Sequence, residues 1–539
     1  MDTQMNDKMQ SDVFVDALFE EEPPVFQAEQ FKIFGLSSLL YAVVYTVCMF
    51  QNSNGITMPV WIAATIIYTC TMMKKLSVTT CGHLRKGSGF YITVMLLIGV
   101  STVFTDASYM VLLNYIGFFL MLMMFLLYNF CDDSQWDFSK SLAEMILAVF
   151  GGIGCMIVPF TDGYAFWNMK KIKQNKTLKA VLIGCILAVP GMLVLGICLS
   201  IADAVFEAMV MRLFSGLHVP ATVMRVIAML LFGYFSSYCG MRYLLRRSRM
   251  TVKAHQTAFD PVIAMTFSGV IVAMYLVFCG VQVLYLFAGN MRLPKGMTYA
   301  AYAQRGFYML LFVCFVNLAL VLCIRRFFAR HKILDVMLLL ICACTYLMLA
   351  SSAYRMYLYI GAYQLTVLRV FVLAALVTLA FLLAGVALLI CRPRFPLFHY
   401  GIAVVSVVYI CLAFLNVDCL VAGYNLSHAH QTEHLDLAYL ASLSPDAAPA
   451  MADYYEQASE EVRENIRNDV TRIKMVLEGQ GDGSERSSEY WFAQYLSQLY
   501  YKERNMGLRN FNVSRYRTVR LFRNLSENLF DITDTISYN

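Results

Sequence analysis

The stretch that decides the fold is YRMYLYIGAYQLTVLR, residues 354–369. It lies between two long apolar segments and places Arg355 and Arg369 where hydropathy alone would favour leucine. An arginine inside a bilayer is costly unless it reaches the interface or finds a partner. Two interpretations are open. The arginines anchor the ends of two membrane spans, with tyrosines such as Tyr359 as an aromatic belt, or they form a polar anchor for structure outside the membrane.

The composition of the whole chain favours a membrane protein. The 539 residues are 59% hydrophobic and only 14% charged, with a mean hydropathy of +0.60, which is more apolar surface than a soluble domain needs. The net charge of +6 does not indicate nucleic-acid binding. The 16 cysteines lie almost wholly in apolar runs, and none follows Cys419. We interpret them as small buried hydrophobic residues, not as disulfides or zinc ligands.

Apolar runs follow an acidic N-terminal segment, and each reaches the length of a membrane-spanning helix. The twelve runs are Ile33–Phe50, Ile56–Met73, Gly89–Thr105, Ala107–Asn129, Leu142–Phe160, Leu178–Ile201, Ala221–Tyr238, Pro261–Ala288, Gly306–Ile324, Ile333–Ala353, Leu365–Ile390 and Phe398–Leu415. We therefore predict an all-α fold, a helical membrane bundle of 11–12 spans followed by a small soluble all-α domain. The predicted parts are an acidic cytoplasmic tail at 1–32, in which Pro23-Pro24 stops any helix before the membrane, a multi-span domain at 33–415 and a helical domain at 416–539.

Basic loops predict the orientation, because lysine and arginine favour the cytoplasmic side. The loops richest in these residues are 74–86, 170–179, 242–253, 325–332 and 392–394. From the sixth run onward they alternate with poorer loops and place the C-terminus outside the cell membrane. Three runs separate the first two basic loops, so either one of those runs does not span or the first basic loop lies on the side that its charge does not favour. Gly89–Thr105 is the shortest, and Leu142–Phe160 contains Gly-Gly-Ile-Gly and could be re-entrant. We favour eleven spans with the N-terminus inside.

The C-terminal region is charged and amphipathic, which is typical of a soluble helical domain. Leu435, Tyr439, Leu440 and Leu443 share one helical face, and we predict that Leu435–Ala450 forms a buried helix and turn. Further helices are predicted at Glu456–Leu477, Tyr490–Tyr501 and Val513–Phe530. We expect this domain to fold independently and to lie on the outer membrane face.

Two ordered motifs, about seventy residues apart, resemble the bacterial polytopic membrane families catalogued as domains of unknown function 4153 and 4173. The first is RMYLYIGAYQLTVLR at 355–369, in which Gln364 stands where the families have glycine. The second is LDLAYLASLSPDAAPA at 435–450, and its motif residues are Asp436, Tyr439, Leu440, Ser444, Asp446 and Pro449. The resemblance covers roughly Leu178 to the C-terminus. It implies a multi-pass architecture and no assigned chemistry.

A few acidic residues flank the apolar runs and suggest partners for the arginines. Asp203 and Glu207 are four residues apart, on one helical face, and Asp418 follows the twelfth run. The predicted topology brings these acids to the same leaflet as Arg355 and Arg369. We predict that the arginines are held by these carboxylates, in a polar cluster of Arg355, Arg369, Tyr359, Thr366, Asp203, Glu207 and Asp418.

The remaining constellations give weaker signals. His428, His430 and His434 could ligate a metal, but their spacing fits no known zinc motif and a solvated linker is the better interpretation. No cofactor motif or catalytic nucleophile is recognisable. Arginines 504, 509, 515, 517, 520 and 523 are interleaved with aromatic residues. We expect them to contact anionic lipid headgroups or acidic faces of their own domain, not nucleic acid.

Three classes of function fit these observations to different degrees. The leading one is an envelope sensor, scaffold or assembly factor that couples the outer helical domain to the bilayer, with other membrane or envelope proteins as partners. The alternative is a transporter or lipid-handling permease, which would line a path with polar residues. An intramembrane enzyme ranks third.

Overall fold

The computed structural model describes residues 22–52, 54–77, 84–131, 138–169, 199, 203, 209, 220–248, 259–284, 299–428, 436–477, 487–503, 507 and 509–529. These residues are helical, apart from turns and one isolated bridge between Phe259 and Phe328. The helices are α1 Pro24–Met49, α2 Thr57–Ser77, α3 Ser88–Phe104, α4 Ser108–Phe130, α5 Phe138–Gly154, α6 Val158–Met169, α7 Ala221–Ser248, α8 Pro261–Gln282, α9 Tyr299–Phe327, α10 Lys332–Tyr363, α11 Val367–Cys391, α12 Leu397–Phe414, α13 Val417–Ser427, α14 Leu437–Ala441, α15 Ala448–Gln457, α16 Glu460–Leu477, α17 Tyr490–Glu503 and α18 Val513–Leu529, with a 3₁₀ turn at Pro445–Ala447 between α14 and α15.

The predicted apolar runs and the described helices agree closely. Eleven of the twelve runs fall on helices, and the sixth, Leu178–Ile201, lies outside the described residues except for Leu199. Eight described helices are long and apolar enough to cross a membrane: α1, α4 and α7–α12, with residues 307–327 of α9 as its qualifying part. The pair α5 and α6 adds a ninth if it is one span, but it bends by 52° at the break. The run that could be re-entrant, Leu142–Phe160, is therefore broken into two helices, and a total of eleven spans stays a prediction.

The start of α1 differs from the prediction. Pro23-Pro24 was expected to end any helix before the membrane, yet α1 begins at Pro24 and extends through Lys32 into the apolar run. Proline is well tolerated at the first helical position, where its missing N–H has no helical partner to lose. Residues 24–32 are therefore helical, the domain boundary at 32 stays a prediction, and residues 1–21 lie outside the described part of the chain.

The chain divides into two compact units. The first takes in the described parts of 1–53, 57–96 and 119–252, and the second those of 54–56, 97–118 and 253–539. In the first unit, α1 packs against α2, α6 and α7. The approach of α1 to α7 is close, because a Cβ atom on Gly233 would lie only 3.0 Å from the Cα atom of Ala42. Backbones approach this closely in membrane helices where small residues face each other.

The second unit is built around α10, which packs against α8, α9 and α11. Its core continues from Leu338 in α10 through Val421 in α13 to Phe492 in α17, all of which are fully buried. The apolar helices and the C-terminal helices therefore share one core. The chain bends between them at Asn416, which has a positive φ of 54°. Independent folding of 416–539 stays a prediction.

Helix α10 is longer than its apolar run. It continues for 32 residues to Tyr363, so Arg355 lies within the helix and not in a connecting loop. The turn to α11 is confined to residues 364–366 and ends at Thr366, whose side chain accepts a hydrogen bond from the backbone N–H of Arg369. The fold-deciding stretch is thus one helix end, a tight turn and one helix start.

Candidate functional site

The 3₁₀ turn of the C-terminal region carries a buried carboxylate, Asp446, at its centre. One oxygen, Oδ1, accepts a hydrogen bond from the backbone N–H of Asp106 at 2.8 Å and another from the hydroxyl of Ser514. The other oxygen accepts from the hydroxyl of Thr105. Asp446 is only 3% exposed. It therefore joins the turn to the α3–α4 corner and to the start of α18.

A second buried carboxylate, Asp418, lies in the first turn of α13. It accepts hydrogen bonds from the hydroxyl of Tyr109 at 2.7 Å and from both the backbone N–H, at 3.1 Å, and the hydroxyl of Ser444. Ser444 is the N-cap of the 3₁₀ turn, and its hydroxyl oxygen also accepts from the N–H of Asp446 at 3.3 Å. Ser444 thus links the two carboxylates.

The third carboxylate, Asp106, lies at the α3–α4 corner and forms an ion pair with Arg515 of α18, 2.6 Å between Oδ1 and Nη2. The amide of Asn512 donates to the carbonyls of Thr102 and Thr105 at 3.1 and 2.9 Å, while its oxygen accepts from the N–H of Ser514. We call Asp106, Asp418 and Asp446 the carboxylate cluster. It ties the C-terminal helices to the ends of α3, α4 and α13.

The electrostatics of the carboxylate cluster follow from burial. Burial raises the pKa of Asp446, and the hydrogen bonds from Ser514, Thr105 and the Asp106 N–H lower it without cancelling that shift. Burial also raises the pKa of Tyr495 well above its usual value, so its hydroxyl keeps its proton and donates to the carbonyl of Ser444 at 3.1 Å. Among the described residues the hydroxyls here are donors to carboxylates and carbonyls. Their arrangement holds several helix ends together around the buried carboxylates.

The α10–α11 turn lies in the same unit and shows what Arg369 does. Its guanidinium donates to the carbonyl oxygens of Tyr363, at 2.7 Å, and of Gln364, and it stacks 4.2 Å from the centre of the Tyr359 ring. The last carbonyls of a helix lack intrahelical partners, and a nearby cation satisfies them. Arg369 therefore caps the C-terminal end of α10.

The backbone of the same turn explains the glycine of the family motif. Gln364 has φ 65° and ψ 178°, a conformation that is essentially restricted to glycine. Asn425 of α13 holds the next residue at both ends, because its amide oxygen accepts from the N–H of Leu365 and its amide nitrogen donates to the carbonyl, at 2.8 and 2.9 Å. Tyr439 of α14 accepts from the N–H of Val367 at 2.8 Å. The C-terminal helices therefore bind this turn as well.

The motif residues of 435–450 cluster around these contacts. Asp436 caps α14 by accepting from the N–H of Tyr439, Leu440 is fully buried, and Pro449 lines a cavity next to Asp446. Leu443 is buried as expected, and Leu437 is half-buried against the same core. The helices predicted at 490–501 and 513–530 are confirmed as α17 and α18. The helix predicted at 456–477 is confirmed as α16 from Glu460 onward, whereas Glu456 belongs to α15.

The predicted ion pairs fare differently. The predicted pairing of Asp418 with Arg369 is wrong. The carboxylate of Asp418 accepts hydrogen bonds from hydroxyls and a backbone N–H, and the guanidinium of Arg369 donates to backbone carbonyls. Nη2 of Arg355 lies 3.5 Å from the amide oxygen of Gln282. Asp203 is exposed and falls in the other unit, and Glu207 lies outside the described residues. Pairing of the arginines with those two acids stays a prediction.

The first unit contains buried charges that the sequence reasoning missed. Arg242 of α7 and Asp162 of α6 are fully buried and are joined by two contacts, of 2.7 and 3.2 Å. Tyr238 donates to the same carboxylate at 2.8 Å, and Glu22 pairs with Arg242. One turn further on, Arg247 pairs with Glu144 of α5. The one sign of this pair in the sequence is Asp162, an acidic residue next to an apolar run.

The histidine segment gives no metal site in the described part of the chain. His428 stacks on Tyr424, with ring centres 4.4 Å apart, and its Nδ1 lies 2.9 Å from the carbonyl of the same residue. His430 and His434 lie outside the described residues. Among the residues that could be searched, no group of three potential ligands lies together.

Comparison with known proteins decides the family. The model of the family described as "Domain of unknown function (DUF4153)" matches residues 92–454, about two thirds of the chain. The chain belongs to this family. Neither a curated protein nor a solved structure matches it. The DUF4153 match begins before Leu178 and ends before the C-terminus, so the extent of the resemblance was misjudged, while both motifs lie inside it.

Family membership and the apolar helices identify a multi-pass membrane protein. The DUF4153 match also separates the two sides of the carboxylate cluster. Asp106, Asp418 and Asp446 lie inside it, whereas Asn512 and, in α18, Ser514 and Arg515 follow it.

Proposed function

We propose that this DUF4153 protein is a membrane-embedded scaffold or sensor whose C-terminal helices form a platform on the outer face of the cell membrane. The observation that carries the proposal is the carboxylate cluster. In it, the single residue Asp446 of the 3₁₀ turn accepts hydrogen bonds from both the α3–α4 corner and α18. Such a cluster fixes the position of the platform relative to the helix ends of its own unit. A displacement of the platform can then be transmitted to the helix ends to which it is bonded, and the reverse.

A second candidate, a transporter or lipid-handling permease, draws on polar side chains between α8, α9 and α10. Tyr275, Asn317 and Thr345 form one hydrogen-bonded chain, and Gln282 bonds to Ser351. Polar groups that bond to one another across helices act as packing contacts. This pattern favours a bundle over a substrate path, and therefore supports the scaffold proposal.

The orientation is testable with reporter fusions. We expect a periplasmic reporter to be active when fused after Asn539, and a cytoplasmic reporter to be active when fused before Pro24, because the basic loops place the two termini on opposite faces. Activity of the same reporter at both positions would contradict the proposed orientation and the odd number of spans.

The scaffold role is testable by cross-linking in intact membranes, followed by affinity purification. We expect membrane or envelope proteins that are enriched with the wild type to be lost with Asp446→Asn and kept with Asp436→Asn. Both replace a carboxylate by an amide, but the second lies at an exposed helix cap where asparagine serves as well as aspartate. A partner set that is identical for both variants would argue against a platform held by the carboxylate cluster.

A further inference from the structure

A cavity of about 190 Å³ lies beside the carboxylate cluster, in the second unit. On its apolar side are Phe104 and Phe414, the last residues of the apolar helices α3 and α12. Their ring centres are 6.3 Å apart, and both side chains remain more than two-fifths exposed. Aromatic residues at the ends of apolar helices are typical of the membrane–water interface. One side of the cavity is therefore continuous with a surface that suits lipid.

The other side of the cavity offers hydrogen-bond donors. Arg517 of α18 is exposed and, among the described residues, forms neither an ion pair nor a hydrogen bond. Asn416 lies at the bend between α12 and α13, and its amide oxygen is buried with no partner in the described part of the chain. Its amide nitrogen is likewise uncommitted there. The guanidinium of Arg517 and the amide N–H groups of Asn416 can donate to the oxygen atoms of a phosphate group, whereas the amide oxygen of Asn416 cannot.

The remaining polar groups of the cavity wall are already engaged. Thr105 and Ser514 donate to Asp446, as does the N–H of Asp106, so these groups are already used. Donors to an incoming group therefore come from Arg517 and Asn416. The volume corresponds to roughly six water molecules, which is enough for a small phosphorylated headgroup but not for a whole lipid.

We propose that this cavity binds the headgroup of an anionic phospholipid. The phosphate lies on Arg517 and Asn416, and the acyl chains leave along Phe104 and Phe414 into the hydrocarbon. A lipid fits better than a soluble phosphate compound because the exposed rings of Phe104 and Phe414 line the apolar side of the cavity. The inference is independent of whether the platform recruits protein partners.

The test uses the purified full-length protein in detergent, titrated with phosphatidylglycerol and followed by native mass spectrometry. We expect Arg517→Gln to weaken binding about tenfold, in line with the loss of a hydrogen bond to a charged group. The matched control is Arg520→Gln, another exposed arginine of α18 that does not line the cavity. Equal affinity of these two variants would overturn the proposal.

A second variant guards against a folding defect in the first. Asn416→Gly removes the amide and retains the positive φ without strain, because glycine adopts that conformation freely. We expect it, too, to weaken phosphatidylglycerol binding, and unchanged binding would contradict the assigned role of Asn416.

Two further probes separate the sources of the phosphate. Diacylglycerol has the same chains without phosphate, and we expect it to bind wild type and Arg517→Gln equally weakly. Glycerol phosphate has the headgroup without chains, and we expect it not to displace phosphatidylglycerol at equal concentration. Displacement by glycerol phosphate would replace the lipid with a soluble phosphate compound. Diacylglycerol binding as tight as that of phosphatidylglycerol would exclude a phosphate site.

Discussion

The two units bury some of their carboxylates in different ways, although Asp106 of the second unit, like the acids of the first, pairs with an arginine. In the first unit, Asp162 and Glu144 are each paired with an arginine of a single helix, α7. In the second unit, Asp418 and Asp446 are bound by neutral hydroxyls and backbone N–H groups that come from several helix ends. An ion pair ties two helices at one point, whereas a carboxylate with neutral donors gathers several segments around one charge.

The difference has an energetic consequence. Removal of one partner of a buried ion pair leaves an uncompensated charge, which is strongly destabilising. Removal of one neutral donor from a carboxylate that has others is milder, because the charge keeps its remaining hydrogen bonds. Loss of an ion-pair partner should therefore destabilise the whole first unit. Loss of one neutral donor in the second unit should loosen its C-terminal helices first.

The largest effect is expected at Arg242. Arg242→Met should lower the free energy of unfolding by about 3–5 kcal/mol, because Asp162 is then buried without its cation. Unfolding in mixed micelles, followed by circular dichroism, measures this. The double variant Arg242→Met with Asp162→Leu should recover most of the loss. Arg394→Met, at an exposed arginine, is the control, and a loss no larger than in that control would refute the assignment.

A smaller and more local effect is expected at Asp446. Asp446→Asn should weaken the hold on α18 by about 2 kcal/mol at neutral pH, since an amide nitrogen cannot accept the hydrogen bonds that a carboxylate oxygen accepts. Backbone amides of α18 should then exchange with deuterium about thirtyfold faster, while those of α8 stay unchanged. Asp436→Asn should leave both helices alone. Uniformly faster exchange would indicate global destabilisation instead.

The turn between α10 and α11 should become more stable when its strain is removed. Gln364→Gly should stabilise the protein by about 1 kcal/mol relative to Gln364→Ala, because both lack the glutamine side chain and only glycine adopts the observed backbone angles freely. Thermal unfolding of the two variants side by side is the measurement. If alanine is tolerated as well as glycine, the turn is not strained.

The smallest effect is a dependence on pH. Because burial raises the pKa of Asp446 above its ordinary value of 3.8, the folded protein binds more protons than the unfolded chain between the two pKa values. Its free energy of unfolding therefore falls as pH rises through that window. The stability of the wild type minus that of Asp446→Asn should decrease from about pH 4 upward and then become constant. An increase with pH would show that the hydrogen bonds outweigh burial.

Helix positions could be predicted because length and apolar composition decide them. The motif residues 436, 439, 440, 444, 446 and 449 could also be singled out, and they do lie around the carboxylate cluster and the α10–α11 turn. Their partners could not. A carboxylate bound by hydroxyls and backbone N–H groups leaves no charge pattern in a sequence, so Asp418 seemed to require an arginine.

The role of Arg369 was missed for a related reason. The carbonyl oxygens at the end of α10 are invisible in a sequence until the helix end is known, and hydropathy placed that end near Ala353, ten residues before its position at Tyr363. The Arg242–Asp162 pair escaped because its members are 80 residues apart. Only the fold brings them together.

The ion pair between Arg515 and Asp106 also has a consequence in time. The two residues are 409 positions apart, and a ribosome that adds 5–20 residues per second needs about 20 to 80 s to make the chain between them. During that interval Asp106 stays without its arginine, because Arg515 has not yet been synthesised. The ion pair at the α3–α4 corner can thus form only after α18 has been synthesised. A chain truncated before Arg515 would lack it.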